Sequence, residues 1–399
     1  MDRTINTKTS SNGNSPLIGH ILSTIEGRIR QGHYPAGHYL PTERALSQEF
    51  HASRSTLRLV LAELERRDLL IRAPGCRPLI AGSQRRAPSD PTQRHSLGLW
   101  ISGDPADIGG ALTALGVQRT LDPDQFRLVV GNPVGATLQE CIRTEAFALA
   151  RMARDTDIAG IILWYLGGET NLPALEALRA ANMPLVFIDR LPPAGFEADY
   201  VGVDNEYASA EMVRHLLSCG HERIAYVANT DTASTVAERR AGYRKALQEA
   251  GIGYRKELVI ASPFFPAPAE EDAVPSAEAA VRQLLDSPDA PTAIFAINDH
   301  IALLLLEALR QQGICVPQDV ALAGFDDIER ATPGSPQLTT VRQPFERMGQ
   351  AAARLIRRRL DEDGASAYQH IILDTALIVR ASTLPETLKP DTRSGLISG

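Results

Sequence analysis

The chain has 399 residues, more than one ordinary core holds, and predicts two or three folding units. Its 44% hydrophobic and 22% charged content matches a soluble globular protein, and its longest apolar stretches, such as 301–306, fall far short of the roughly twenty-residue run that crosses a bilayer. The net charge of -7 hides a split: residues 1–94 carry 14 Lys and Arg against 8 Asp and Glu, so a small basic module precedes a large acidic one and only the front suits a polyanion.

Residues 1–15 are polar with no apolar core, which excludes a secretory signal; a disordered N-terminus and a cytoplasmic location are expected. Ile18, Ile21, Leu22, Ile25 and Ile29 then recur at helical spacing until Gly32. After a Pro- and Gly-rich turn at 32–37, Thr42 and Glu43 open a short helix reaching Phe50, with Thr42 as cap. Ser53 caps a third helix, in which Leu57, Val60, Leu61 and Leu64 face inward while Ser55, Arg58 and Ala62 face out and Arg54 sits at the edge of the first turn. Residues 69–71 and 79–80 predict a two-stranded wing about Gly75. The stretch 82–94, with Pro88 and Pro91 and few apolar residues, is a linker.

From Ser96 the pattern becomes short apolar strands alternating with amphipathic helices. Strands are expected at 97–101, 127–130, 160–163, 185–188, 224–227, 258–260, 293–297 and 320–323, with helices at 206–218, 235–250, 276–285 and 301–312. The fold class is therefore α/β: an N-terminal winged helix-turn-helix at 16–81, then a two-lobed, doubly wound parallel-sheet sensor domain at 95–383. Lobe 1 is expected at about 95–200 and 335–362, lobe 2 at about 201–334 and 363–383, and a disordered tail at 384–399.

Strand ends carry a repeated chemistry: Asp189-Arg190, Asp204-Asn205, Asn298-Asp299 and Asp326-Asp327. Carboxylates, amides and an arginine at the carboxyl ends of parallel strands suit a polyhydroxylated ligand, whose hydroxyls both donate and accept. Such residues also cap helices, and Asp299 and Asp327 read as caps. Cys76, Cys141, Cys219 and Cys315 stand apart without a C-x-x-C pair, and His221 has no second histidine at ligand spacing, so neither zinc nor a disulfide framework is expected. No G-x-S-x-G, H-E-x-x-H, Walker or G-x-G-x-x-G pattern is present; no enzyme activity and no cofactor are expected.

Residues 16–80 resemble the GntR family of winged-helix regulators through Pro35, Gly37, Leu40 and Pro41, then Thr42-Glu43-Arg44 with Leu46, Ser53-Arg54-Ser55-Thr56-Leu57-Arg58, Leu61, Leu64 and Gly75. The resemblance implies that Arg44, Ser53, Arg54, Ser55, Thr56 and Arg58 face double-stranded operator DNA and that Gly75 and Arg77 bring the wing to the minor groove. Residues 97–382 resemble the effector domain of LacI/GalR regulators, a fold shared with periplasmic sugar-binding proteins. The matching runs are Phe187-Ile188-Asp189-Arg190, Val203-Asp204-Asn205, Gly220-His221, Arg239 with Gly242-Tyr243, Ala296-Ile297-Asn298-Asp299, Gly324-Phe325-Asp326-Asp327 and Leu338-Thr339-Thr340-Val341 with Gln343-Pro344. By that resemblance Asp189, Thr235, Arg239, Asn298 and Asp326 line an interlobe cleft, and Trp164 and Phe264 are candidates for an aromatic platform. The join of the two resembles the arabinose-repressor subgroup and implies a repressor released from DNA by a sugar; a homodimer is expected because one module reads only a few base pairs and two-fold proteins read two-fold sites. A regulator whose ligand strengthens DNA binding, or a sugar-binding protein of other role, are the alternatives.

Overall fold

The computed structural model describes residues 16–30, 33–34, 38–66, 69–71, 77–80, 95–101, 108–135, 137–230, 233–262, 270–328, 336–361 and 366–384. The expectations for 1–15, the linker 82–94, the tail beyond Leu384, the turn at 35–37, Gly75 and Phe264 lie outside these residues. The chain divides into two compact units, Met1–Arg86 with Glu176–Met183, and Ala87–Leu175 with Pro184–Gly399.

In the first unit, α1 (Pro16–Arg30), α2 (Glu43–Glu49) and α3 (Arg54–Arg66) are followed by the antiparallel pair β1 (Leu70–Ile71) and β2 (Leu79–Ile80). The apolar stripe read from the sequence is the core: Ile21 and Ile25 of α1 meet Leu46 of α2, Leu57, Val60, Leu61 and Leu64 of α3, and Ile80 of the wing. The predicted caps are in place, with Thr42 Oγ1 accepting from Ala45 N at 3.2 Å and Ser53 Oγ from Thr56 N at 3.1 Å. Each such cap satisfies a helix-end N–H that would otherwise lack a partner.

The second unit begins with β3 (His95–Trp100), α4 (Ile108–Thr120), β4 (Phe126–Gly131), α5 (Leu138–Met152) and β5 (Ile158–Leu163). A 3-10 turn at Gly168–Asn171 leads into α6 (Leu172–Ala180), whose residues from Glu176 on are grouped with the first unit, and then into β6 (Leu185–Ile188), β7 (Asp199–Val203) and α7 (Asn205–Ser218). Then come β8 (Ile224–Asn229), α8 (Ser234–Glu249), β9 (Val259–Ser262), α9 (Glu270–Leu285), β10 (Ala293–Ala296), α10 (Asp299–Gln311) and β11 (Ala321–Ala323). The chain closes with β12 (Thr340–Arg342), α11 (Phe345–Asp361), β13 (His370–Leu373) and β14 (Ala376–Ile378).

Two parallel sheets result. The first lobe has six strands in the order β13-β7-β6-β5-β3-β4, the second four in the order β11-β10-β8-β9. Three connections pass between the lobes: β7 to α7, β12 to α11, and β13 to β14. Two of these strands, β12 and β14, pair antiparallel as a ribbon, Thr340 opposite Ile378. The expected lobe boundary needs one correction, since β13 pairs with β7 (His370 opposite Tyr200) and so belongs to the first lobe, not the second. Its burial alternates, as an edge strand's does, although Ile371, Ile372 and Leu373 are all apolar.

The first lobe's core joins Leu97, Leu99, Ile162, Val186 and Val201 of the sheet to Phe345, Met348, Ala352, Leu355 and Ile356 along one face of α11. Helices α4 and α11 cross at glycines: a Cβ on Gly116 would stand 2.0 Å from Glu346 O, and one on Gly349 2.1 Å from Thr113 O. Only paired glycines permit that backbone approach. Asp199, fully buried at the start of β7, ties the lobe's late elements together: Arg359 Nη2 reaches it at 3.1 Å, Arg358 Nη2 at 3.5 Å, and Gln369 N donates at 2.7 Å.

Asp199→Ala should remove about 3–5 kcal/mol of stability, because Arg359 is left buried without its counter-ion. A lowered urea midpoint measures it, and an unchanged midpoint would show that Asp199 is dispensable.

Candidate functional site

The first unit presents one polar surface. Arg44 on α2 and Ser53, Arg54, Ser55 and Arg58 at the front of α3 are exposed, and Thr56 is half-buried. The three hydroxyls form a small network, Ser53 Oγ lying 2.7 Å from Ser55 Oγ and 2.8 Å from Thr56 Oγ1. Arg58 Nε donates to Glu43 Oε2 at 3.4 Å, which links the exposed faces of α2 and α3. An exposed pair of this kind adds little stability but restricts where the guanidinium points. Arg77, expected at the wing, is exposed and also has a structural contact. Its Nη2 donates to Leu40 O at 2.6 Å and its guanidinium lies 5.8 Å from the Tyr39 ring centroid, so it fastens the wing's base to the segment before α2.

In the second unit, sheet topology marks the site. From β3 the chain goes first to β4 on one side and then to β5 on the other; from β8 it goes to β9 and then to β10. Strand order reverses at these points, where open α/β sheets bind ligands at their carboxyl ends. Trp164 follows β5 and Asp189 follows β6, next to each other by the register Leu163 opposite Phe187. Asn298 and Asp326 follow β10 and β11 in the second lobe.

The structure brings Asp189, Thr235, Arg239 and Asp326 into one buried neighbourhood. Arg239, 5% exposed, spends its guanidinium on three partners: Nε donates to Asn205 Oδ1 at 2.9 Å, Nη1 to Ile297 O at 2.8 Å, and Nη2 lies 3.5 Å from Asp326 Oδ1. Its plane stacks on Phe325, 3.7 Å from the ring centroid. Asp326 Oδ1 also accepts from Gln343 Nε2 at 2.8 Å, on the connection returning to the first lobe. From the other side, Tyr200 donates to Asp189 O at 3.0 Å, and Leu191 N donates to Ser234 Oγ at 2.9 Å, which sets the Asp189 turn against the start of α8, where Thr235 is buried. Glu238, one turn further along α8, accepts from Asn205 Nδ2 at 2.9 Å; burial first, and then the like charges of Asp189 and Asp204, raise its pKa.

Three buried polar atoms here lack a hydrogen-bond partner among the described residues: the acceptors Asp189 Oδ1 and Gln343 Oε1, and the donor Trp164 Nε1. Trp164 is half-buried, its ring 6.0 Å from that of Phe345, two residues beyond Gln343. Backbone strain collects at the same place, with φ of 62° at Asp189, 112° at Asp326 and 57° at Asp327, values that side chains other than Asp and Asn seldom hold.

Asn298, expected in the cleft, is half-buried after β10 and also caps α10, its Oδ1 accepting from Ile301 N at 2.9 Å. One expectation changes. Asp299 and Asp327, expected as caps, are hinge anchors. Asp299 accepts from Thr340 Oγ1 at 2.7 Å and from Ile328 N at 2.8 Å, while Asp327 pairs with Arg342 and Arg380, each at 2.6 Å. Gly324 has to be glycine beside it, since a Cβ would meet Asp299 Oδ1 at 2.1 Å. Asn205, Glu238 and Gln343 were missed as site residues; Asn205 and Gln343 stood in quoted motifs, but only the fold shows that their amides meet Arg239 and Asp326.

Burial, then the charge of Asp326, pushes the Asp299 carboxyl up to about 8 from an ordinary 3.8. The folded chain therefore keeps a proton that the unfolded chain has already lost, and the resulting stabilisation, full below about pH 4, is lost as pH rises to about 8. In Asp299→Asn, where the Thr340 hydroxyl can reverse to accept, denaturant stability should fall less between pH 5 and pH 8 than in the wild type. Parallel pH dependences would show that Asp299 ionises normally.

Similarity to known proteins agrees with this division. Residues 17–77 match the model for bacterial regulatory proteins of the gntR family, and residues 213–383 match the periplasmic binding protein-like domain. The arabinose metabolism transcriptional repressor of Geobacillus stearothermophilus is 28% identical over 373 residues, 92% of this chain and 98% of that protein. The HTH-type transcriptional regulator DegA of Bacillus subtilis is 35% identical over 215 residues, 54% of this chain and 60% of its own length. Among solved structures, the transcriptional regulator CelR in its cellobiose complex superposes with a TM-score of 0.60 at 28% identity, over 83% of this chain and 91% of that one. Among the described residues no helix is long and apolar enough to cross a membrane.

Proposed function

We propose that this chain, a transcription regulator that joins a gntR-family DNA-binding domain to a periplasmic-binding-protein-like domain, is a repressor whose hold on operator DNA is released by an uncharged sugar bound between its lobes. The observation that carries the sugar site is the set of three buried, unpartnered polar atoms, Asp189 Oδ1, Gln343 Oε1 and Trp164 Nε1. Buried polar atoms are rarely left unsatisfied in proteins, and two acceptors with one donor beside an indole face match the hydroxyls and apolar face of a sugar ring. The repressors of arabinose metabolism and the cellobiose complex of CelR supply the analogy.

Arg239 narrows the ligand class. Its guanidinium is occupied by Asn205, Ile297 and Asp326, so it has no bidentate face to offer a carboxylate or phosphate. Neutral sugars are therefore preferred over sugar acids and sugar phosphates. A ligand touching Asp189 and Trp164 in one lobe and Gln343 at the hinge stabilises one lobe arrangement through contacts absent from the other.

DNA is read by Arg44, Arg54 and Arg58, with the capped front of α3 seated on a phosphate. The regulator acts as a homodimer on a two-fold operator. Val130 on the edge strand β4, Val134, and Phe147 on α5 are exposed apolar side chains, Phe147 at 72%, and offer a face to a second copy. Closure of the lobes in such a dimer changes the spacing of the two DNA-binding heads.

Two measurements test the two ends of the molecule. Arg54→Ala and Arg58→Ala should each weaken operator binding by about 1–3 kcal/mol and relax sequence preference at one base pair; unchanged affinity in both would remove them from the interface. Asp189→Asn, which tolerates the same left-handed backbone, should weaken a neutral sugar in calorimetry by about 1.5–3 kcal/mol, the worth of a hydrogen bond to a charged group. Equal affinity for wild type and variant, or tighter binding of a sugar phosphate, would move the ligand elsewhere.

A further inference from the structure

Behind the proposed sugar site lies a carboxylate that the binding account does not use. Glu145, on α5, is fully buried, and both its oxygens are occupied by donors from two other segments. Trp100 Nε1 donates to it at 3.3 Å from the end of β3. Leu166 N at 2.8 Å, Gly167 N at 2.7 Å and Asn171 Nδ2 at 2.9 Å donate from the segment that follows β5. Asn171 Nδ2 also reaches Ile142 O at 2.9 Å, and a Cβ on Gly167 would stand 2.2 Å from that same amide nitrogen, so the segment is packed closely against its anchor.

We propose that Glu145 is the positioning residue of the effector site: a buried carboxyl that gathers the backbone N–H groups of Leu166 and Gly167 and so fixes the indole of Trp164 where a sugar ring meets it. The proposal rests on the sugar-site reading above. Both oxygens of Glu145 accept here, Oε1 from Leu166 N and Oε2 from Gly167 N, whereas a glutamine keeps one oxygen and would turn its N–H2 toward the N–H of either Leu166 or Gly167. Burial raises the Glu145 pKa against the lowering effect of these donors and of the Arg190 charge. Arg190 Nη1 in turn donates to Tyr165 O at 3.4 Å and its Nε lies 4.0 Å from Asp189 Oδ2. Glu145 thus acts on both first-lobe contacts, on Trp164 through the backbone and on Asp189 through Arg190.

The chain has two tryptophans, Trp100 and Trp164, so Trp100→Phe leaves Trp164 as the single emitter. In that background Glu145→Gln should raise the acrylamide quenching constant of Trp164 at least threefold. It should weaken arabinose or cellobiose, whichever the parent binds, at least tenfold in calorimetry, and leave sugar-free operator affinity within twofold. An unchanged quenching constant overturns the proposal whether or not either sugar binds. So does looser Trp164 with unaltered sugar affinity, or an equal loss of operator binding, which would make Glu145 a plain folding residue. Should Glu145→Gln fail to fold, Asn171→Ala, which removes one donor, is held to the same criteria. Trp164→Phe separates the two readings: if it leaves sugar affinity unchanged, the site assignment fails while the quenching result still decides on Glu145.

Discussion

The sensor unit is organised around the guanidinium of Arg239. One side chain on α8 binds the amide of Asn205 just after the first interlobe connection, the carbonyl of Ile297 after β10, and the carboxylate of Asp326 after β11, while Phe325 covers its face. Asp326 passes the constraint to Gln343 on the second connection. A buried pair of this kind contributes little net stability, since desolvation offsets the attraction, but losing either partner leaves an uncompensated charge. Its effect is to fix where three strand ends and two connections stand.

Around this hub the hinge combines polar contacts with apolar packing. The β12–β14 ribbon is held to the second lobe by Asp299 through Thr340, and by Asp327 through Arg342 and Arg380, while Val341 and Leu377 pack on that lobe's core. Packed and hydrogen-bonded contacts of this kind either form or do not, which suits a joint with discrete arrangements. The left-handed backbone at Asp189, Asp326 and Asp327 sits on the same joint. Among the described residues, strain there is carried by residues of the candidate site and of the connections.

Much of this was legible in the sequence because the signals are local. The caps Thr42 and Ser53 and the inward stripe of α3 depend on neighbours within a turn, and the strands at 185–188, 224–227 and 293–297 on short continuous apolar runs buried on both faces; they stand where expected. Non-local facts were not legible. That Asn298 caps while Asp299 turns inward depends on Thr340, 41 residues away. Nothing near Arg77 in sequence announces its contact with the carbonyl of Leu40. β13 offers only the short apolar run 371–373 and gains its identity from β7, 170 positions earlier by the register His370 opposite Tyr200. Glu145 looked like one more polar residue on an amphipathic helix, since its donors come from β3 and from the segment after β5.

The central claim is that a neutral sugar held by Asp189, Trp164 and Gln343 sets the hold on DNA. Fluorescence anisotropy of a labelled operator with the full chain, titrated with neutral sugars, sugar acids and sugar phosphates, tests it most directly. The account predicts that one neutral sugar raises the operator Kd at least tenfold in the wild type, and that Asp189→Asn binds operator normally but needs far more sugar to release it. An operator Kd that no sugar changes, one that the sugar lowers, or a variant that responds at the wild-type concentration would contradict it.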